Sequence, residues 1–320
     1  MVSSGSPAPA AVNRPPLVSV IINCYNGEPY LQEAIDSVTR QTYPEWEIVF
    51  WDNASTDRSA AIALAVGPGL RYFRSPENLP LGAARNLALQ EAKGACIVFL
   101  DCDDLLLPDA LEVLVATSAR GNYALVYGGS IFIDAAGREL KRRSPLARSG
   151  HLLGEQLRQF EIRLPAVMIN RSALLASELG FDPTLRMAEE YCLFMQLAAS
   201  HEICGLSRVL AKYRVHGNAL TPKLIARWGP EVDHSLDLLA SGFPAVVARH
   251  QGAFRQARAR AAYYRACHRV VESDRRGAMD ALWPYLFVDH RFPFLFLLLL
   301  LPLRAWNSVH AWYSGRSFSI

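Results

Sequence analysis

The chain has 320 residues, of which 51% are hydrophobic and 20% charged, which excludes a disordered protein and supplies core for one large or two small domains. A formal charge of +3 is too weak to argue for nucleic acid, and no zinc-finger, RNP or helix-turn-helix pattern accompanies it. The six cysteines are scattered with no C-x-x-C pair, as suits a reducing cytoplasm, and Cys24 and Cys96 read as inert core thiols.

Residues 1–16 are rich in Ser, Pro and Ala and carry no apolar segment, so a flexible tail is expected, neither signal peptide nor anchor. Leu17 to Ile22 is β-branched and reads as a strand, and Asn23-Cys24-Tyr25-Asn26-Gly27 after it is turn chemistry. Tyr30, Leu31, Ala34, Ile35 and Val38 recur at helical spacing. A second strand, Glu47 to Trp51, is followed by Asp52-Asn53-Ala54-Ser55-Thr56-Asp57 and an Ala-rich helix through Ala65. In that segment Ser55-Thr56-Asp57 reads as a helix cap. A third strand, Leu70 to Phe73, precedes a helix from about Gly82 to Ala92. The alternation predicts an α/β fold, a mostly parallel, Rossmann-like sheet flanked by helices.

The apolar run Ala95 to Leu100 is the next strand, and Asp101-Cys102-Asp103-Asp104 leaves its C-terminal end, the edge where open α/β sheets bind ligands. Clustered hard oxygen donors suit Mg²⁺ or Mn²⁺ and a phosphate carried by the metal. The plainer reading is an acidic turn capping a helix that starts near Pro108. Further on, Val126 to Ile133 reads as a strand, Asp134 to Gly137 as a hairpin turn and Lys141 to Pro145 as a basic loop. A helix over Ala188 to Ala199 carries Glu189 and Glu190 in its first turn, where acids favour the macrodipole.

From about Pro222 the chain is helical and basic, with Arg249, Arg255, Arg258, Arg260, Arg265, Arg269, Arg275 and Arg276 set against only Glu272 and Asp274. Phe292 to Leu303 is apolar but spans 12 residues where a membrane-crossing helix needs roughly 20. An interfacial insertion and a buried terminal helix both fit that length.

Taken together and in order, Val18 to Asn26, Asp52 to Asp57, Gly82-Ala83-Ala84-Arg85-Asn86, Phe99 to Asp104, Phe181 to Leu193 and Tyr213-Arg214-Val215-His216 resemble the inverting, GT-A-fold glycosyltransferases of family 2. The resemblance covers residues 17–220. It implies a GT-A catalytic domain there, with a nucleotide-sugar half (17–124) and an acceptor half (125–220), followed by a helical extension over 221–320.

The resemblance also implies roles. Tyr25 and Asn26 line a nucleoside pocket, Asp52 accepts from the base, and Arg85 reaches the base or diphosphate, with Gly82-Ala83-Ala84 giving close backbone approach. Asp103 binds the metal, Asp101 holds the ribose or metal waters, Asp104 serves either purpose, and His216 completes the metal site. A lone histidine or a helix arginine is otherwise structural. The catalytic base is Glu190 or its neighbour Glu189, where the family usually has an aspartate. Further departures are Asn23 for proline, Asn53-Ala54 for Asp-Gly, and Pro80 for glycine. The implied partners are a nucleotide-sugar donor, a glycan or lipid-linked acceptor and an anionic membrane surface, for a cytoplasmic protein peripheral to the inner face of the membrane. Two rival readings are a haloacid-dehalogenase-like phosphatase, with Asp101 opening its first motif, and an inactive membrane-bound nucleotide-binding scaffold.

Overall fold

A computed structural model describes residues 15–217, 219–289 and 292–301, so the expected tail lies outside the described residues except for Pro15 and Pro16. The first half alternates as its sequence requires. β1 (Val18–Cys24), α1 (Leu31–Thr39), β2 (Trp46–Asp52), α2 (Ser59–Leu64), β3 (Leu70–Arg74), α3 (Leu81–Glu91) and β4 (Cys96–Asp101) follow one another. Then come β5 (Leu105–Leu106), α4 (Ala110–Ser118), β6 (Leu125–Ile133), β7 (Glu139–Arg143), β8 (Arg148–Gly150), α5 (Leu153–Arg158), β9 (Val167–Asn170), α6 (Arg171–Ala176), α7 (Glu189–Ser200) and β10 (Ile203–Arg214). The C-terminal part is helical: α8 (Leu220–Gly242), α9 (Pro244–Arg249), α10 (Gln251–Val271), α11 (Arg275–Leu282) and α12 (Phe292–Leu298).

The strands form one sheet in the order β3-β2-β1-β4-β9-β6-β10-β5, with β7 on β6 and β8 on β10. β1 to β4, β6 and β10 share one direction, while β9, β5, β7 and β8 oppose them. The carboxyl ends of six strands therefore gather at one edge. Lys141 to Arg143, expected in a loop, pair with β6 as β7, because the turn at Asp134 folds the chain back on itself.

Strand periodicity feeds two cores. Val18, Val20, Ile22 and Cys24 pack on the side of Leu31, Ile35 and Val38 from α1, and Val98 and Leu100 join them. Ile21, Ile97 and Phe99 point to the other side, toward Ala84 and Ala88 of α3 and Phe194 and Leu197 of α7. Val232, Leu236 and Leu239 of α8 and Ala253, Ala257 and Ala261 of α10 belong to that second core. The sheet ends near residue 214, but its core continues into the C-terminal helices.

A third cluster joins Tyr263, Ala266 and Val270 of α10 to Leu282, Phe292, Leu295 and Leu298. The apolar run is thus amphipathic in its described part: Phe294, Leu297, Leu300 and Leu301 stay about half-exposed on the opposite side. Residues 302 and 303 of that run lie outside the described residues. Among the described residues, no helix is long and apolar enough to cross a membrane. The basic helix is also less free than its sequence suggests, since Arg258 pairs with Asp233 and Asp237, and Arg265 with Asp233, all across α8 and α10. Acids of α8 answer these charges, which counting within α10 alone misses.

Candidate active site

The loops leaving β1 and β2 are laced together at the carboxyl edge. Asn26 takes a left-handed backbone (φ 54°), its Oδ1 accepts from the Thr56 N–H at 2.8 Å, and its own N–H donates to Ser55 Oγ. Tyr25 beside it is half-exposed. Asp57 accepts from the backbone N–H of Glu28 and of Ser59, so it ties the two loops as well as starting α2. Ala54 sits at φ 66°, a conformation that favours glycine, which accounts for the glycine common there in relatives of the motif. Gly27 leaves room for two thiols: a Cβ would stand 2.7 Å from the sulfurs of both Cys24 and Cys102. Hydrogen bonding with Cys102 draws the Cys24 thiol below its ordinary range, although Cys24 is only 1% exposed.

Asp52 is fully buried. One oxygen accepts from the Ser55 N–H and the other from the Tyr72 hydroxyl and the Arg74 guanidinium. Asn53 beside it locks the Asn78–Leu79 turn through three hydrogen bonds.

Arg85 is placed differently from the expectation. Its side chain is 1% exposed and lies beneath the site, with Nη2 2.8 Å from Asp101 and Nη1 3.0 Å from Glu189 and 3.1 Å from Glu190. Burial alone would weaken its charge, but Asp101, Glu190 and Glu189 hold it above the ordinary arginine range. The close approach at Gly82 is to protein: a Cβ there would meet the Asp182 carbonyl at 3.0 Å. Asn86 brackets Phe181, accepting from its N–H and donating to its C=O. Gly82, Arg85 and Asn86, spaced along one face of α3, together clamp the segment that leads into α7.

That segment presents the carboxylate pair. Glu189 is buried, whereas the Glu190 side chain is 29% exposed and so faces solvent beside Arg85. Burial raises Glu190, Arg85 opposes it and Glu189 adds to it, leaving the carboxyl at about 8. Glu231, from α8, accepts from the backbone N–H groups of Arg186, Met187 and Ala188 at 2.8–3.0 Å and so fixes the turn before the pair.

The acidic tetrad divides its labour, and it does not cap α4, whose preceding Asp109 makes no side-chain cap bond. Asp103 Oδ2 lies 2.8 Å from His216 Nε2. Arg214 braces the tetrad from beneath: its N–H donates to Asp104, Nε to the Asp103 carbonyl and Nη2 to Glu33, with Tyr30 under its guanidinium. Asp104 is 1% exposed, and burial followed by Asp103 and Asp101 holds it well above the carboxylate range. It faces the interior, where one oxygen accepts from the Arg214 N–H.

The sequence profile of glycosyl transferase family 2 matches residues 19–173, which hold β1 to β9 and the acidic tetrad. An uncharacterized glycosyltransferase of Haemophilus influenzae is 32% identical over 183 residues, 56% of this chain and 71% of that protein. The chain belongs to glycosyl transferase family 2. An uncharacterized glycosyltransferase of Rickettsia felis is 31% identical over 206 residues; that match takes in 64% of this chain and 34% of the relative, so the chain spans about a third of that protein's length. The Escherichia coli UDP-Glc:alpha-D-GlcNAc-diphosphoundecaprenol beta-1,3-glucosyltransferase WfgD is 27% identical, covering 64% of this chain and 79% of WfgD. In fold, the chain is similar to Staphylococcus aureus TarS 1–349 in complex with UDP-GlcNAc (TM-score 0.58, 18% identity, 87% and 91% of the two chains). It is likewise similar to the mannosyltransferase PcManGT from Pyrobaculum calidifontis in complex with GDP-Man and Mn²⁺ (TM-score 0.59, 19% identity, 94% and 88%). These likenesses bear out the GT-A fold, with its sheet flanked by helices and its helical C-terminal part.

Family membership sets the phosphatase reading aside, and the fold agrees: Asp101 closes the fourth strand of the chain, not the first. As a family 2 site, the edge has the donors for a hard divalent cation. Asp103 and His216 converge, and an ion such as Mg²⁺ or Mn²⁺ takes few protein ligands, completing its shell with phosphate and water. Asp101 is turned toward Arg85 and stands beside that pair. Among the described residues no three His, Cys, Asp or Glu side chains form a ready-made metal cluster, so a cation held here would draw its remaining positions from phosphate and water. Sequence reading gave no role to Arg214, Glu231 or Asn53. Arg214 and Asn53 had a signal, their places in the Tyr213–His216 and Asp52–Asp57 motifs, and Glu231 had none.

Proposed function

We propose that the chain is an inverting glycosyltransferase that moves one sugar from a nucleotide sugar, uridine-linked, to a hydroxyl of a glycan or lipid-linked glycan in bacterial surface polysaccharide assembly. One observation carries this reading. Arg85 gathers Asp101, from the tetrad, and the Glu189–Glu190 pair, 104 and 105 residues further on, around one guanidinium. A donor-side acid and an acceptor-side base are thereby held in one piece. The named ligands of WfgD and TarS, UDP-Glc and UDP-GlcNAc, support a uridine nucleotide, while the GDP-Man of PcManGT marks the alternative to test.

In this proposal Tyr25 and Asn26 line the nucleoside end, and the buried Asp52 shapes its floor and accepts from the base only by exchanging a present partner. Asp101 holds the ribose side, and Asp103 with His216 would hold the divalent cation. Such a cation neutralises charge that builds on the departing diphosphate. Glu190 takes the proton from the acceptor hydroxyl, because it is the exposed member of the pair; Glu189 stays beneath it on Arg85. Incubating the full chain with a panel of UDP- and GDP-sugars and reading released nucleoside diphosphate tests the proposal. Tight nucleotide binding without sugar transfer or hydrolysis, whatever acceptor is offered, would favour the inactive scaffold.

We also propose peripheral attachment to the inner face of the membrane. Support comes from the apolar side of α12 that faces outward and from the exposed Arg249, Arg255 and Arg276.

A further inference from the structure

Phe132, near the carboxyl end of β6, is 3% exposed, yet two cations lie on its ring: Lys141 Nζ is 4.6 Å and Arg163 Cζ 5.1 Å from its centroid. The pairing of β6 with β7 explains the first. Phe132 opposes Lys141 and Ser130 opposes Arg143, so period-two alternation sets Lys141 and Arg143 on one face of β7 with Phe132 and Ser130 on the same face of β6. Arg163 arrives from the segment between α5 and β9. Among the described residues neither Lys141 nor Arg163 has a carboxylate in ion-pair contact, unlike Arg142, which pairs with Glu139. The Ser130 hydroxyl, fully buried, has no hydrogen-bond partner there either.

Such an arrangement crowds like charges against one buried ring. Burial, then Arg143 and Arg163, push the Lys141 ammonium below its ordinary range. Burial likewise lowers Arg163, and Arg143 adds to it. An anion with several acceptor oxygens relieves both costs at once, and a guanidinium fork beside an ammonium is the donor set that a phosphate takes best. The cluster also has a direction: Phe132 stands near the carboxyl end of β6, at the same sheet edge as the tetrad, with its ring 5.3 Å from that of Tyr213, and Arg163 is within electrostatic reach of Glu190.

We propose that Lys141 and Arg163, both on the ring of Phe132, form a phosphate-binding subsite for the acceptor, and that the acceptor sugar is joined through a phosphate or diphosphate. This rests on the glycosyltransferase reading with Glu190 on the acceptor side. The two cations hold the phosphate of the acceptor while its sugar hydroxyl reaches Glu190. A neutral glycan offers Lys141 and Arg163 no counter-charge.

The experiment uses the full chain. UDP or GDP with Mn²⁺ is titrated first, and the tighter of the two is then kept saturating, so that a diphosphate probe cannot report on the donor's own phosphates. The probes are a short-chain alkyl diphosphate-linked N-acetylglucosamine, the alkyl N-acetylglucosaminide without the diphosphate, and inorganic pyrophosphate. Wild-type protein should bind the first at least about 10-fold more tightly than the second, as charge-assisted bonds to phosphate imply. Lys141→Gln/Arg163→Gln should remove most of that preference and leave nucleotide affinity unchanged. Arg163→Lys, which keeps the charge, should retain part of it, and Lys141→Gln alone, at a half-buried strand position, should show the same trend without risk to the fold. Equal binding of the two glycosides by the wild type overturns the subsite. So does a parallel loss of nucleotide affinity in the double variant, which would give the cations to the donor's diphosphate, and so does pyrophosphate binding that the double variant leaves intact. If neither nucleotide binds in the first titration, the glycosyltransferase reading itself falls, an outcome separate from these.

Discussion

Arg85 Nη1 stands 3.1 Å from Glu190 Oε1, an ion pair that joins α3 to the first turn of α7. It ties the carboxylate to α3 while leaving the Glu190 side chain 29% exposed.

The first prediction follows from that geometry. Glu190→Gln should leave donor binding nearly unchanged while transfer falls by roughly 10²- to 10⁴-fold, the usual range for loss of a general base. Because the carboxyl is raised to about 8, it is protonated and idle as a base at lower pH, so kcat/KM should climb as pH rises toward 8 and then level off. Glu189→Gln should keep transfer but move that rise to lower pH, because the charge of Glu189 helps hold Glu190 up. A normal rate for Glu190→Gln alongside an inactive Glu189→Gln would move the role to Glu189.

Removing the guanidinium should cost stability as well as activity. Arg85→Met leaves Asp101, Glu189 and Glu190 around one site without a counter-charge, and breaking a buried pair in this way costs about 3–5 kcal/mol. Urea unfolding monitored by circular dichroism measures the loss. An unchanged midpoint would mean that Arg85 contributes little to the clamp on α7.

The metal is tested by removal. Chelation with EDTA and Asp103→Asn should each lower turnover by something on the order of 10²-fold or more, with far-ultraviolet circular dichroism preserved. Full turnover by protein shown to be metal-free would end the assignment of Asp103 and His216.

Membrane attachment has a gentler test than truncation, because Phe292, Leu295 and Leu298 are part of the third core cluster. The full chain should co-sediment with vesicles containing anionic lipid, and Leu297→Glu/Leu301→Glu, at two half-exposed positions, should release it. No sedimentation of the wild type, or equal sedimentation of the variant, rules the attachment out.

The sheet was legible because β-branched runs and turn residues mark each strand locally, and the tetrad announced itself by following a buried strand. What sequence could not show were relationships that only tertiary packing creates. Arg85, read from its glycine-rich approach as a ligand contact, is enclosed by three carboxylates, two of them more than 100 residues away. Cys24 and Cys102 carry no spacing signal and meet only because β1 and β4 are neighbours. The arginines of α10 looked unopposed until α8 supplied Asp233 and Asp237.

Glu231 reaches back from α8 to hold three consecutive N–H groups just ahead of the Glu189–Glu190 pair, and it lies 58 positions beyond residue 173, where the family profile ends. The motifs by which such a protein is recognised therefore do not mark out a unit that can be cut free: a fragment ending at residue 217 would keep every signature residue and lose the support that Glu231 gives to the turn before Glu189. Drift in the tail can reach the chemistry without touching a motif, so two relatives with identical signatures need not be equally fast.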